Sequence, residues 1–118
     1  MSIQNEILNA IASRRSCRAY KPEQITAEKL EAVTTAGTWA ATAMGRQSPV
    51  MVAVQDKETL AELSRLNAAV MGTQNDPFYG APTAVLVLGE KNNPNGVQDA
   101  SLVMGNCLLY TSDAADDG

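Results

Sequence analysis

The sequence predicts a mixed helix-and-strand layer fold, in the order helix, helix, strand, helix, strand, helix. Two observations lead there. Four stretches carry apolar residues at the three-to-four spacing of an amphipathic helix, and among them stand two short valine-rich runs, Val50–Gln55 and Thr83–Gly89, that suit strands. Elements in this order pack as layers around one core, though the order alone does not specify how strands neighbour one another. With 118 residues the chain is the size of one domain and can bury a modest core.

Each element has its own signal. Ile3, Ile7, Leu8 and Ile11 share one helical face, which predicts a first helix over Ser2–Arg14 with Ser2 as N-cap. Pro22 interrupts the pattern. Thr26 then suits an N-cap with Glu28 in the first turn, and Leu30, Val33 and Gly37 carry a second helix over Ala27–Ala41. The small, irregular stretch WAATAMGRQSP reads as a loop. VMVAVQ follows as a buried strand. Asp56 caps a third helix bearing Leu60, Leu63, Leu66 and Val70. Gly72, Pro77, Gly80 and Pro82 mark MGTQNDPFYGAP as a loop. TAVLVLG is a second buried strand, EKNNPNG a turn, and Val97, Ala100, Val103 and Met104 begin a last, fully buried helix. There is no internal repeat and no low-complexity segment.

Composition narrows the chemistry. Apolar residues make up 45% and charged residues 19%, a globular composition. No apolar run approaches the roughly 20 residues that span a bilayer. The opening MSIQNEILNA has no basic leader ahead of an apolar segment, so a cytoplasmic, non-membrane protein is expected. Cys17 and Cys107 have no metal-ligand spacing, which fits a reduced compartment and no metal site. Histidine is absent, and with it the commonest general base and metal ligand. Lacking also CxxC and GxSxG, the chain would leave redox or group-transfer chemistry to a cofactor, with no catalytic side chain of its own.

The charge is uneven. The net charge is −4, but Asp113, Asp116 and Asp117 crowd the last six residues; without them nine basic residues face ten acidic ones, a balance of −1. Against this near-neutral body, SRRSCRAYKP packs Arg14, Arg15, Arg18 and Lys21 around Ser16. Two readings stand. The first is a solvated helix end, where cations sit comfortably against the partial negative charge of the terminus. The second is an anion site, since arginine's planar fork suits phosphate oxygens. The other basic residues are scattered from Lys29 to Lys91, which argues against a nucleic-acid face.

The series IASRRSCRAYKPEQITAEKLEAVTTAGTWAATAMGRQSPVMVAVQD resembles the N-terminal half of FMN-dependent nitroreductases. It runs from a helix ending in R-R-S-x-R, through an aromatic residue and a Pro-containing link, to a second helix, an A-x-T-x-M-x-x-Q-x-P loop and a valine-rich strand. NAAVMG, DPFYGAPTAVLVL and DASLVMGN extend the likeness over nearly all of Ile3–Asn106. The resemblance implies an α+β, nitroreductase-like mixed-sheet sandwich with a central core helix. It implies an obligate homodimer with FMN at the interface, where NADH or NADPH reduces the flavin and a nitroaromatic, a quinone or a similar small acceptor receives the electrons.

By the same resemblance, Arg14, Arg15, Ser16 and Arg18 hold the phosphate and ribityl end of FMN. The loop Ala41–Gln47 passes beside the ring and ribityl chain, with Thr42, Met44 and Gln47 as expected cofactor-binding residues. Many relatives have proline where Ala41 stands. Asn67 falls near an asparagine that hydrogen-bonds the ring. Cys17 occupies the variable position of the motif and reads as a small filler. Gln47, taken alone, is an ordinary polar loop residue. Trp39 reads as packing or dimer interface, Phe78 and Tyr79 as acceptor-pocket lining or loop anchors, and Met44, Met51, Met71 and Met104 as core filling.

After Asn106 the resemblance stops. CLLYTSDAADDG loses its helical signal at Thr-Ser-Asp, and it resembles the translation of a transposon-end adapter used in sequencing libraries, a genuine divergent C-terminus being the other reading. The expectation is therefore residues 1–106 as the N-terminal portion of one domain, truncated at its C-terminus, and residues 107–118 as a non-native tail. Such a fragment would lack the rest of the sheet, dimer contacts and part of the flavin site, so the expectation is a parent protein that is a flavin reductase, with the activity of this chain left open. Two other functions remain in view: a non-catalytic flavin- or anion-binding module, and a small interaction domain whose basic segment docks an acidic partner.

Overall fold

The computed structural model describes residues 3–116. Its elements are α1 (Glu6–Ser13), α2 (Ala27–Thr38), a single 3-10 turn (Ala43–Gly45), β1 (Val50–Val54), α3 (Lys57–Met71), β2 (Ala84–Leu88) and α4 (Gly96–Asp116). The order matches the sequence reading. The fold is of the α+β class. Its sheet, among the described residues, is one antiparallel pair running from Val50↔Leu88 to Val54↔Ala84.

Caps set the helix starts. Thr26 Oγ1 accepts from Lys29 N at 3.2 Å and Asp56 Oδ2 from Thr59 N at 3.0 Å, as the sequence predicts. The hydroxyl and N–H of Thr59 hold the Asp56 carboxyl below its usual range. The first helix begins later than its periodicity predicts. Asn5 Oδ1 accepts from Leu8 N at 2.9 Å, so Asn5 is the cap and Ile3 stays outside the helix. Ser2, the predicted cap, lies outside the described residues. At the other end of α3, Gly72 stops the helix in the left-handed conformation (φ 72°), which glycine adopts without a Cβ clash.

The core forms where α4 crosses α2. On α4, Gly96, Asp99, Val103 and Cys107 recur at three- and four-residue spacing and make one buried stripe. On α2 the matching stripe is Leu30, Val33 and Gly37. Val33, Val103 and Cys107 form the buried cluster, with Ala40, Met51 and Val87 packed against it. Asn106 Nδ2 donates to Ala36 O at 3.0 Å across the same junction. Gly37 is required here: a Cβ would lie 2.6 Å from Met51 Sδ and 2.8 Å from Cys107 Sγ. Burial pushes the Cys107 thiol pKa up. The helix runs unbroken through Asn106 and on to Asp116, where the sequence reading has the helical signal fading.

Several expectations of burial are corrected. Both strands are only half-buried, because α4 covers one face of a two-stranded pair and Val50 and Val52 point to the other. α4 is not fully buried; Val97, Leu102, Met104 and Leu108 lie on its open side. On α3 the inner residues are Leu60 and Ala68, while Leu66 and Val70 face outward. α1 buries nothing, so Ile7, Leu8 and Ile11 form an open apolar face.

Polar ties close the ends of the sheet. Gln55 Nε2 donates to Thr83 Oγ1 at 3.1 Å, and Thr83 Oγ1 also bonds Gln24 Oε1. Gln24 Nε2 donates to Pro82 O at 2.9 Å. At the far end Asn93 Nδ2 donates to Ser48 Oγ at 3.3 Å. The loop after α3 is organised by Asp76, which accepts from Ser64 Oγ (2.7 Å), Phe78 N (2.9 Å) and Gly80 N (2.8 Å). Those donors, Ser64 first, hold its carboxyl below the usual carboxylate range.

Two outcomes follow from these contacts. Gly37→Val should cost about 1–3 kcal/mol through overpacking, read as a lowered urea midpoint; an unchanged midpoint would show that α2 and α4 do not close at this point. Because the Asp76 carboxyl is depressed in the folded chain, its stabilising effect is present above the unfolded value of about 4 and is lost as pH falls through the folded value. Thermal melts over that acid range should show wild type losing more stability than Asp76→Asn. Parallel losses in the two proteins would disprove the role of this carboxylate.

Candidate functional site

The basic segment lies between α1 and α2. Arg14 closes α1, its N–H donating to Ala10 O at 3.2 Å before the backbone turns extended (φ −54°, ψ 135°). Arg15 Nη1 donates to Ala12 O at 3.0 Å and Arg14 O at 2.8 Å, satisfying carbonyls that a helix end leaves free. One guanidinium therefore serves the helix end, as the first of the two sequence readings has it. The side chains of Arg14, Ser16 and Arg18 make no hydrogen bond among the described residues. The ion pair found among those residues is Arg65–Glu62, so the three arginines have no carboxylate partner there. Tyr20 Oη donates to Cys17 O at 3.2 Å and Cys17 Sγ to Ala19 O at 3.0 Å, which folds the segment back on itself. Partial burial, then Cys17, raises the Tyr20 phenol above its ordinary value.

Thr42, Met44 and Gln47 come together on the loop between α2 and β1. Thr42 Oγ1 accepts from Gln47 N at 2.9 Å, and Gln47 Nε2 donates to Thr38 O at 3.2 Å. Met44 (φ 56°), Gly45 (φ 66°) and Gln47 (φ 50°) are left-handed, a conformation that strains methionine and glutamine. Met44 is 86% exposed and so fills no core; Met71 and Met104 are also exposed, and of the four methionines only Met51 packs inward. Beside the loop lies a cleft of about 180 Å³ lined by Gly37, Thr38, Thr42, Gln47, Met51 and Val103 among others. It is smaller than the roughly 300–1,000 Å³ that encloses a cofactor-sized ligand. A ligand of that size on this loop needs a second wall.

The remaining residues sit apart. Asn67 is exposed on α3, its Nδ2 donating to Leu63 O at 2.8 Å. No hydrogen bond among the described residues joins Asn67 or the Arg14–Arg18 segment to the Thr42–Gln47 loop. Trp39 is 80% exposed, which removes the reading of it as packing within the chain. Phe78 is half-buried and Tyr79 exposed with φ 53°. A larger, open depression of about 460 Å³ includes Ser64, Arg65, Thr73 and Asp76. Arg65 is held there by Glu62 and Asp76 by its three donors.

Sequence reasoning missed Asp99. It is the buried charged residue of the described chain, 2% exposed, and its Oδ1 accepts from Ala43 N at 3.0 Å. Its Oδ2 has no hydrogen-bond partner among the described residues. The signal was available: one carboxylate within the otherwise uncharged GVQDASLVMG of α4.

The Nitroreductase family model matches residues 11–77, which include Arg14, Arg15, Ser16, Arg18, Thr42, Met44, Gln47 and Asn67. No curated protein sequence matches the chain. Among solved structures, a nitroreductase with bound FMN from Bacteroides fragilis NCTC 9343 aligns at TM-score 0.83 and 28% identity, over 94% of this chain and 66% of that one. A nitroreductase with bound FMN from Desulfitobacterium hafniense DCB-2 aligns at 0.83 and 26%, over 95% and 67%. An FMN-dependent nitroreductase from Clostridium difficile R20291 aligns at 0.83 and 25%, over 93% and 57%. The chain thus spans between 57% and 67% of the length of these three relatives. With a family match covering more than half of its residues and a fold shared with FMN-bound relatives, this chain belongs to the nitroreductase family.

Proposed function

We propose that the protein is a flavin-dependent oxidoreductase that uses NADH or NADPH to reduce a nitroaromatic, a quinone or a similar small acceptor through FMN. The observation that carries this reading is the single family match spanning both the basic segment and the Thr42–Gln47 loop. Bound FMN supplies the two-electron chemistry between the pyridine nucleotide and the acceptor.

The residues present fit one side of an FMN site. Arg14 and Arg18 are guanidiniums without a carboxylate partner among the described residues, next to the free hydroxyl of Ser16; this set suits a phosphate dianion. Arg15 keeps α1 terminated and contributes charge. Thr42 and Gln47 line the cleft and hold the loop there, with left-handed Met44 and Gly45 between them. Asn67 completes the proposed set as a ring contact.

The second wall comes from a homodimer. Ile7 and Ile11 of α1, Trp39 and Val97 are all more than half exposed, apolar surface of a kind that a monomer in water seldom shows in quantity. A cytoplasmic setting belongs to the same proposal, and no helix among the described residues is long and apolar enough to cross a membrane. The proposal also includes the boundary at Asn106: residues 107–118 are a tail foreign to the natural protein, which the source DNA beyond the Asn106 codon would decide.

The test separates cofactor from catalysis. The full chain is titrated with FMN and with riboflavin, which lacks the phosphate, and then assayed for NADH and NADPH oxidation with a quinone and a nitroaromatic. Arg14→Ala and Arg18→Ala should each weaken FMN roughly tenfold or more and leave riboflavin affinity unchanged. Equal losses for both ligands would remove these arginines from the phosphate site. FMN binding without pyridine-nucleotide oxidation under anaerobic conditions would make the chain a non-catalytic flavin module.

A further inference from the structure

We infer that Asp99 is a positioning residue for the cofactor-side loop: from the first turn of α4 it holds Ala43, and through Ala43 the strained backbone of Met44–Gln47. The inference rests on the proposed flavin reading and adds to it a residue that never reaches the ligand.

The loop's other hydrogen bonds are local. Gly45 N donates to Thr42 O, Arg46 N to Ala43 O, Gln47 N to Thr42 Oγ1, and Gln47 Nε2 to Thr38 O. Such bonds shape the turn and tie it no further than the adjoining end of α2. Asp99 Oδ1 to Ala43 N, across 56 residues of sequence, is the bond within Thr42–Gln47 that reaches another part of the fold among the described residues. Strained left-handed residues persist only where surrounding structure over-determines them. Ala43 immediately precedes Met44, the first of those residues.

A buried carboxylate is a costly way to hold one N–H unless position matters. Asp99 is 2% exposed and Oδ2 is unpartnered, so the group is not there to form a paired network. Its place in the first turn of α4 offsets part of the cost, because free N–H groups there favour negative charge. The same helix contributes Val103 to the core and to the wall of the cleft. Loop, cleft wall and core are thereby referred to one rigid element.

The experiment uses the full chain in wild-type, Asp99→Ala and Asp99→Asn forms. Amide exchange is followed without flavin, and FMN affinity is measured by titration. Asp99→Ala should speed exchange at Ala43–Gln47 and weaken FMN, each roughly tenfold, while Val33 and Val103 amides stay protected. Asp99→Asn keeps an oxygen that can accept from Ala43 and should stay within about threefold of wild type on both measures. In a folded alanine variant, exchange sped equally at Val33, Val103 and Ala43–Gln47 would mark Asp99 as merely structural and overturn the inference, as would equal FMN affinity in wild type and Asp99→Ala. Should the alanine variant not fold, slow Ala43 exchange in wild type with an asparagine variant that retains FMN supports the inference. Fast wild-type exchange, or tenfold weaker FMN with asparagine, overturns it. A wild-type chain that binds no FMN removes the flavin site from this chain, and the role of Asp99 in that site is overturned with it.

Discussion

The close approach of α4 to α2 at Gly37 is the constraint on which the rest of the chain depends. The buried cluster is small, Val33 and Val103 with Cys107 of the tail segment packed on, and it exists because a glycine lets Met51, and in this chain Cys107 as well, meet the α2 backbone. Everything near the candidate site is measured from that junction. α2 ends in Thr38, whose carbonyl receives Gln47; α4 carries Asp99 in its first turn, and the carboxylate receives Ala43. The loop is held between the end of one helix and the start of the other. A change at the junction therefore reaches the loop without touching it.

The polar and apolar surfaces tell one story. Apolar side chains are open on α1, on the outer side of α4 and on the second sheet face, and the arginines between α1 and α2 lack carboxylate partners among the described residues. Hydrophobic surface left in water and cationic groups left without anions are two kinds of unmet interaction, and the proposed homodimer with bound FMN would meet both.

How much of this was legible in the sequence depends on the kind of signal. Thr26 and Asp56 were legible because a cap is a local event, decided by a side chain and the amide three residues on. The start of α1 was not, since Ser2 and Asn5 are both capping types and periodicity cannot choose between them. Valine-rich runs showed where strands form but not what covers them, so β1, β2 and α4 were expected deeper than they lie. On α3, spacing placed Leu66 and Val70 with Leu60, whereas the inner face turns toward Ala68. In the site, the density of arginines was visible at once. The left-handed Met44 and the carboxylate of Asp99 were not, because both depend on contacts between segments far apart in sequence.

The two-stranded sheet carries a consequence for folding fidelity. Strand register is ordinarily enforced by a one-residue slip moving apolar side chains into water. Here Met51 and Val87 on one face are matched by Val50, Val52, Leu86 and Leu88 on the other, so a slip would exchange one apolar row for another. Hydrophobic patterning therefore gives little discrimination between the correct ladder and its neighbours. That task falls to the polar clasps at the ends, Gln55–Thr83–Gln24 and Asn93–Ser48, whose partners meet only when Val54 faces Ala84 and Val50 faces Leu88. Amide and hydroxyl side chains that look incidental at the rim thus act as the proofreaders of strand alignment.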